Sequence, residues 1–194
     1  MYTANSSDVA DAYQTNRPTT YDFLKPNGFR FVVNDLPQVA YTCQKVSLPS
    51  LDLGYTTHKT PFNDYAITGE KVTFGDLFLE FIVSEDMSNY LELFNWITSL
   101  GDPKGYDNYN NFIRNRLNRT GTNSIDKPKE DTVKYSDASL VILNSSNIPK
   151  INIKFTEIFP VTLDTLQFDT TVMSLDYMVC GVTFKYKIFE IETI

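Results

Sequence analysis

The sequence has very few of the side chains that commonly carry catalysis or bind metals. It contains one histidine, His58, and two cysteines, Cys43 and Cys180, without CxxC or Cys/His spacing. A metal site needs several such ligands close together, so no metal and no cofactor is expected. The GxSxG, P-loop and GxGxxG patterns are also missing. We therefore predict that the protein is not an enzyme. Its cysteines are predicted to be buried, reduced thiols, with a single disulfide as the alternative.

Long apolar runs and an excess of basic residues are missing as well. No stretch approaches the length of a membrane span, and the N-terminus lacks the basic start and apolar run of a signal peptide. The 24 acidic side chains outnumber the 17 basic ones, which argues against a module that grips nucleic-acid phosphates. We expect synthesis in the cytoplasm and no membrane association.

What the sequence does contain is a strand-rich pattern suited to one folded domain. Of its 194 residues, 42% are hydrophobic and 14% are aromatic, which is enough for a substantial core. The pattern predicts a mainly β (β-rich α+β) fold: an antiparallel β-sandwich or partial barrel with one flanking α-helix and an extended hairpin. We predict an extended N-terminal arm over residues 1–27 and a single β domain over 28–194. The domain carries a polar insertion at 101–135, with a short amphipathic helix around 109–117.

The central element is predicted over residues 71–100, as a strand, an acidic turn and a helix. Alternating apolar residues from Leu77 to Val83 mark the strand. Asp86 or Ser88 can cap the start of the helix by accepting backbone N–H bonds. The helix must bury one apolar stripe, and the strand before it is the expected support. The residues predicted to pack the helix onto the sheet are Leu93, Phe94, Trp96 and Ile97.

Two β-hairpins are predicted from strand-forming residues around turns. The first joins the strand after Gly28 to a returning strand in which Val39, Tyr41 and Cys43 alternate. The second spans residues 54–70 and has strong strand formers but little apolar area, so it would be marginal alone. It makes sense if neighbouring chains pair with it. Its predicted inter-subunit residues are Tyr55, Thr57, Phe62, Tyr65 and Ile67.

Five stretches follow one another in an order and spacing that resemble a known family. They are FRFVVNDLPQVAYTCQKVSLP, TPFNDYAITGEKVTF, LFLEFIVSEDMSNYLELFNWI, KFTEIFPVTLDTLQFD and VTFKYKIFEI. Together they are similar to the tail tube proteins of T-even-type contractile phages, whose fold is shared by the tube proteins of type VI secretion systems. Residues 1–20 and much of 101–135 depart from the family pattern.

The resemblance implies a phage tail-tube-like fold and a structural protein of the virion tail. Subunits would form hexameric rings whose sheets join into a continuous inner barrel, and stacked rings would form a conduit for DNA ejection. It implies tail sheath, baseplate and tape-measure proteins as partners, with DNA passing through without specific binding. Tube initiators at the baseplate, terminators at the neck and hub proteins reuse the fold and are the alternatives.

If the chain forms the tube that the resemblance implies, polar strand positions that alternate with core residues would line its wet channel, and a neutral to acidic wall would let DNA slide. The predicted channel-facing residues are Thr42, Asn152 and Thr183. In a different class of function, a monomeric β-sandwich would bind carbohydrate through exposed aromatic side chains such as Tyr106 and Tyr109.

Overall fold

Nine β-strands and three α-helices form the part of the chain that the computed structural model describes, residues 22–101, 105, 107–119, 134–171 and 176–194. The strands are β1 (Phe29–Val33), β2 (Cys43–Ser47), β3 (Leu51–Lys59), β4 (Asp64–Phe74), β5 (Leu77–Ile82), β6 (Ser136–Leu143), β7 (Pro149–Leu163), β8 (Val179–Lys185) and β9 (Ile188–Thr193). The helices are α1 (Pro37–Thr42), α2 (Ser88–Leu100) and α3 (Asp107–Arg119). Most of the predicted N-terminal arm and parts of the predicted insertion lie outside the described residues.

Seven of the described strands form two antiparallel sheets that share β7. The A sheet has the strand order β1-β6-β7-β9, and the B sheet has the order β2-β5-β8-β7. The first part of β7 pairs with β6 and β9, and its last residues, from Phe159, pair with β8. Within the described residues β3 and β4 pair with each other alone, as a separate hairpin. The predicted mainly β architecture with an extended hairpin is confirmed.

β7 changes sheets at Glu157, which has a positive φ of 55°. A non-glycine residue in this left-handed region costs roughly 1–2 kcal/mol. Neighbouring side chains hold it there: the Glu157 N–H donates to Asp137 Oδ1 at 3.1 Å, and the Glu157 carboxylate pairs with Lys187 Nζ at 2.8 Å. The bend carries one continuous strand from the A sheet into the B sheet.

The core lies between the two sheets and is built from alternate residues of their strands. Along β5 the alternation follows the prediction, because Leu77, Leu79 and Phe81 are fully buried. An aromatic group closes the core near the bend, where Phe155 contacts Tyr186 with ring centroids 5.2 Å apart. The largest fully buried side chains are Phe31, Phe81, Phe155, Phe184, Leu77, Leu79, Leu93, Ile153, Ile158, Val33, Val39 and Val182.

The first predicted hairpin is wrong. Residues 37–42 form α1, and β1 pairs with β6 instead of a returning strand. Pro37 stands at the start of α1, where its fixed φ suits a helix and its missing N–H leaves no bond unmade. Val39 is fully buried whereas Tyr41 is 91% exposed. A strand would place both on one face, so the helical period accounts for the burial and the alternation does not.

The start of α2 also differs from the prediction. Its N-cap residue is Met87, in the left-handed conformation with φ 54° and without a side-chain cap. Asp86 acts one residue earlier and accepts a hydrogen bond from the Ser88 N–H at 3.2 Å. That hydrogen bond lowers the pKa of the Asp86 carboxyl. The acidic turn therefore orders the approach to the helix, although neither predicted residue is its N-cap.

Candidate functional site: assembly surfaces

The described residues hold no cluster of side chains suited to metal binding. No group of three or more His, Cys, Asp and Glu side chains among them lies close enough to hold an ion. His58 stacks on Tyr65, with ring centroids 5.0 Å apart, in an exposed hairpin. No helix in the described ranges is long and apolar enough to cross a membrane.

Both cysteines are free thiols, so the disulfide alternative is wrong. Cys180 is buried as predicted, whereas Cys43 is only half-buried. Burial raises the pKa of the Cys43 thiol to about 12. Burial, together with the nearby Asp164 carboxylate, raises the pKa of Cys180 to about 11. Because a thiolate is the reactive form, these thiols are poorly suited to nucleophilic chemistry at neutral pH.

The most exposed paired strands belong to the outer part of the β3–β4 hairpin, residues 55–68, which we name the arm. All residues of both arm strands are exposed, and Phe62 at the tip is 99% exposed. The register of the pairing divides the other predicted inter-subunit residues between the two faces, with Tyr55 and Thr57 on one and Tyr65 and Ile67 on the other. Large aromatic or apolar side chains thus lie on both faces of a thin two-stranded sheet, which is the pattern of a surface that another chain covers.

A glycine contact lies at the base of the arm, at a break in the pairing register of the kind that kinks a strand. The β3–β4 register shifts between Leu53 and Tyr55, where Gly54 lies beside Gly69. A Cβ on Gly69 would lie 2.8 Å from the Gly54 carbonyl carbon, a separation that real side chains do not adopt. The two backbones touch here only because Gly69 lacks a side chain, whereas a Cβ on Gly54 would meet the Lys71 carbonyl oxygen at an ordinary 3.5 Å. On the inner side of this kink the hairpin is anchored, since Phe74 packs edge-on against Phe189 with ring centroids 5.5 Å apart.

Asn152 lies on the outward face of the A sheet, which is the face turned away from the core. Cross-strand pairing places it in a row with Arg30, Val141 and Glu192. The adjacent row contains Val32, Ser139, Lys154 and Glu190. Lys154 Nζ pairs with a Glu192 carboxylate oxygen at 2.7 Å. These two rows carry Arg30 and Lys154 against Glu190 and Glu192, so their charges balance.

The other two predicted channel-facing residues lie elsewhere. Thr183 is on the outward face of the B sheet, paired with Phe78. Thr42 is the last residue of α1, and its hydroxyl donates to the Gln38 carbonyl at 3.0 Å. The premise that Thr42 is a strand residue is therefore wrong, for the same reason that the first hairpin is wrong. Because the core separates the two outward faces, Asn152, Thr183 and Thr42 do not share one wall.

The predicted packing residues of α2 do not all face the core. Leu93 and Trp96 are buried and Ile97 is half-buried. Trp96 is 3% exposed, and its Nε1–H donates to the Lys134 carbonyl at 3.3 Å. Phe94 is 47% exposed, so the prediction that it packs the helix onto the sheet is wrong. Neighbouring helical residues point about 100° apart, and Phe94 falls outside the stripe that Leu93 and Trp96 share.

Asn89 is a buried polar residue that sequence reasoning missed. Its Oδ1 accepts from the Ser84 N–H at 3.2 Å and the Tyr90 N–H at 2.9 Å. Its Nδ2 donates to the Ile82 carbonyl at 2.7 Å and to Thr42 Oγ1 at 3.0 Å. One amide therefore links the end of β5, the end of α1 and the start of α2. The sequence signal was an asparagine three residues after Asp86, at the start of the helix, where a polar side chain meets unpaired backbone groups.

The helix predicted inside the insertion is present and runs longer than expected, as α3. Ile113 is buried and Phe112 packs against the core. Tyr109 is half-buried, and Lys134 Nζ lies 5.7 Å from its ring centroid. Tyr106 lies outside the described residues. Tyr109 and Phe112 are therefore packing residues more than an open stacking platform, which weakens the carbohydrate-binding interpretation.

No protein-family model and no curated protein matches the sequence. Solved structures do match it along most of its length. One is a chain of the PVC sheath–tube complex of an extracellular contractile injection system in the extended state, with 16% identity, a TM-score of 0.57, and coverage of 99% of this chain and 100% of that chain. The PVC sheath/tube terminator matches with 16% identity, a TM-score of 0.55, and coverage of 90% of this chain and 99% of that chain. The anti-feeding prophage tube terminating cap matches with 13% identity, a TM-score of 0.55, and coverage of 94% of this chain and 99% of that chain. The chain has the tube fold of contractile injection systems, as the sequence resemblance predicted.

Proposed function

We propose that this chain is a structural subunit of the tube of a contractile phage tail, and that it assembles into hexameric rings that stack into a conduit for DNA ejection. In this proposal the protein is a virion component, assembled in the host cytoplasm, with no catalytic role. The tube fold supports the proposal, and the observation that carries it is the arm. In a monomer the arm would extend away from the core with its apolar side chains exposed to water, and it would gain no stability from packing.

The arm gives assembly a thermodynamic reason. Burying an aromatic or branched aliphatic side chain completely is worth roughly 1.5–3 kcal/mol. Phe62 is 99% exposed in the single chain, and Tyr65 and Ile67 are 50% and 41% exposed. A neighbour that covers them therefore gains about one full increment and roughly half of two more. A two-stranded hairpin is also marginal alone. We propose that neighbouring subunits bury the arm on both faces.

The outward face of the A sheet is the proposed channel wall. Of the predicted channel residues it contains Asn152, beside Lys154 and its ion-pair partner Glu192. Each phosphate that a cation grips adds a salt-dependent term that resists sliding. A wall whose cations are matched by carboxylates holds DNA weakly, which suits passage without specific binding.

The remaining surfaces would meet other tail components. The proposed partners are the tail sheath around the tube, the baseplate at one end and the tape-measure protein inside during assembly. The insertion that contains α3 is proposed to face outward or toward an adjacent ring. Arg114 on α3 is exposed and would meet an acidic partner there.

A second function within the same fold is a terminator or another capping ring. The terminator and cap structures give a TM-score of 0.55, almost equal to the 0.57 of the sheath–tube chain. The two functions differ in stacking, because a tube subunit binds further rings on both faces and a terminator does so on one. Long tubes in a purified sample support the tube, and single or double rings support the terminator.

The test is to purify the protein and examine it by size-exclusion chromatography, native mass spectrometry and negative-stain microscopy. We expect rings, alone or stacked. Phe62→Ala on the arm should reduce the ring fraction, whereas Phe94→Ala removes an exposed phenyl group from α2 and should leave it unchanged. A wild-type monomer at all concentrations would contradict the proposal, and equal effects of the two variants would remove the arm from the interface.

A further inference from the structure

Asn27 is the one asparagine of this sequence that is followed by glycine. We infer that Asn27 is a chemical modification site, where spontaneous deamidation turns a neutral amide into a carboxylate directly before β1. The inference concerns the single chain and goes beyond the proposed tube. Glycine matters at the next position because it has no Cβ, so the backbone nitrogen of Gly28 is open to the Asn27 side chain.

The reaction consumes water and releases ammonia, with no oxidant or reductant. The Gly28 backbone nitrogen gives its proton to a base in solution and attacks Cγ of Asn27. The N–Cγ bond forms, the Cγ–Nδ2 bond breaks, and ammonia leaves with a proton taken from water. Water then opens the five-membered imide. Cleavage of the new N–Cγ bond gives aspartate, and cleavage between that nitrogen and the Asn27 main-chain carbonyl gives isoaspartate.

A surface turn presents the reacting pair to solvent. Pro26 and Asn27 are its central residues, and the Asn27 side chain is exposed. The Gly28 N–H donates to the Lys25 carbonyl at 3.3 Å, which is longer than the usual range of about 2.7–3.2 Å. Ring closure requires the Gly28 nitrogen to rotate toward the Asn27 side chain. The hydrogen bond that opposes this rotation is therefore a weak one.

Asn144 is the described asparagine that comes nearest to Asn27 in sequence context, because a small residue, Ser145, follows it. Its side chain is held in place, since Oδ1 accepts from the Ser146 N–H at 2.9 Å and the Ile148 N–H at 3.0 Å. The side-chain amide of Asn27 has no hydrogen-bond partner among the described residues. Two further Asn-Ser pairs, at 5–6 and 123–124, lie outside the described residues. The structure thus favours reaction at Asn27 over Asn144.

The backbone beyond the turn is well held, so the fold should survive the reaction. The Gly28 carbonyl accepts from the Leu143 N–H at 2.8 Å, and Phe31 is buried in the core. Isoaspartate adds one methylene to the main chain ahead of Gly28. The exposed residues Pro26 and Asn27 can absorb this extra length, so the melting temperature of the subunit should change little.

The new carboxylate changes the charge of a groove beside β1. The groove has a volume of about 940 Å³, and Asn27 and Arg30 both line it. Arg30 is the only charged side chain among its described lining residues, where it has no ion-pair partner. Deamidation therefore turns a cationic groove into a neutral one. An acidic group that Arg30 attracts would be held less strongly after the reaction.

Peptide mapping measures the reaction. The purified protein is incubated at pH 8 and digested with chymotrypsin, which cleaves after Leu24 and Phe29 and releases residues 25–29 as the pentapeptide KPNGF. Mass spectrometry against synthetic aspartate and isoaspartate standards should show both products at residue 27. Two hydrogen bonds restrain Asn144, so Asn27 should convert at least roughly tenfold faster. Equal conversion of the two asparagines would overturn the assigned selectivity.

A free pentapeptide of the same sequence gives the rate without a fold. The folded protein should react at most roughly tenfold more slowly, because one weak hydrogen bond restrains the turn. An Asn27 that stays intact while the pentapeptide reacts would overturn the inference.

Two variants locate the reaction. Asn27→Gln should abolish the acidic species seen on ion exchange, because glutamine would have to close a six-membered ring. Gly28→Ala should slow the reaction, since its Cβ shields the nitrogen and lies 3.1 Å from the Leu143 carbonyl oxygen. The same amount of acidic species in Asn27→Gln as in the wild type would place the reaction elsewhere and overturn the inference. Ring formation is measured separately, so such a result leaves the proposed function standing.

Discussion

Replacing Trp96 by alanine should be among the most destabilising single changes in α2. The indole is almost completely buried, and its N–H donates to the carbonyl of Lys134 at the end of the insertion. Truncating a buried aromatic residue to alanine costs about 3–5 kcal/mol, through lost transfer energy and the cavity left behind. For a domain of this size that corresponds to a fall of roughly 6–20 °C in melting temperature. Urea unfolding of the dissociated subunit, followed by circular dichroism, measures the free energy directly.

Two variants of the same helix make the experiment decisive. Trp96→Phe keeps most of the packing and removes the N–H donor. It should therefore lower the free energy of unfolding less than Trp96→Ala does, and the lost hydrogen bond should account for about 0.5–1.5 kcal/mol of the decrease. Phe94→Ala removes a half-exposed ring and should cost about 1 kcal/mol or less. If Phe94→Ala destabilised the subunit as much as Trp96→Ala, the assignment of the inward stripe would be refuted. A Trp96→Ala subunit of normal stability that failed to assemble would place the indole in an interface.

Three further outcomes follow from the structure. Gly69→Ala should abolish ring formation while the melting temperature of the subunit changes little, because the new Cβ meets the Gly54 backbone at the kink and redirects the arm. Normal rings in this variant would show that ring formation does not depend on the direction of the arm. Asn89→Leu should cost about 1–3 kcal/mol for the backbone groups left unpaired, measured by urea unfolding against Asn89→Asp, which keeps the acceptor only. Cys43 and Cys180 should react with iodoacetamide far more slowly in the folded subunit than in urea at pH 8, because their raised pKa values of about 12 and about 11 keep both thiols protonated. The rates in the folded subunit should still rise toward pH 11, and equal rates in the folded and the unfolded subunit at pH 8 would contradict the raised pKa values.

Sequence periodicity predicted the elements whose burial is one-sided. The alternation in β5 was visible because that strand places one face on the core. It failed where an alternation and a helical period both fitted the same few residues. Val39 and Cys43 are spaced for either structure, and the start of α1 at Pro37 decides between them. Because of this error Thr42 was predicted to be a strand residue, although it is the last residue of α1.

The proposed assembly surfaces were less predictable for a different physical reason. The composition of the arm showed that it lacks a core of its own. The kink, however, depends on Gly69, whose missing side chain leaves room for the backbone of Gly54, and these two residues meet only in the pairing register. The open edges of β1 and β9 likewise depend on strand order, which local patterns do not encode. Asn89 looked like an ordinary residue of the first helical turn, and only the fold surrounds it with unpaired backbone groups.

The bend at Glu157 has a mechanical consequence. Because β7 is covalently continuous through both sheets, a shear force that slides the A sheet past the B sheet cannot act on apolar side-chain packing alone. It must also load the ladder hydrogen bonds on both sides of the bend, which share the force in parallel along β6, β9 and β8. Sheets joined only by packed side chains would slip at the softer layer. The two sheets of the subunit therefore resist shear as one body, and the left-handed residue Glu157 fixes the bend between them.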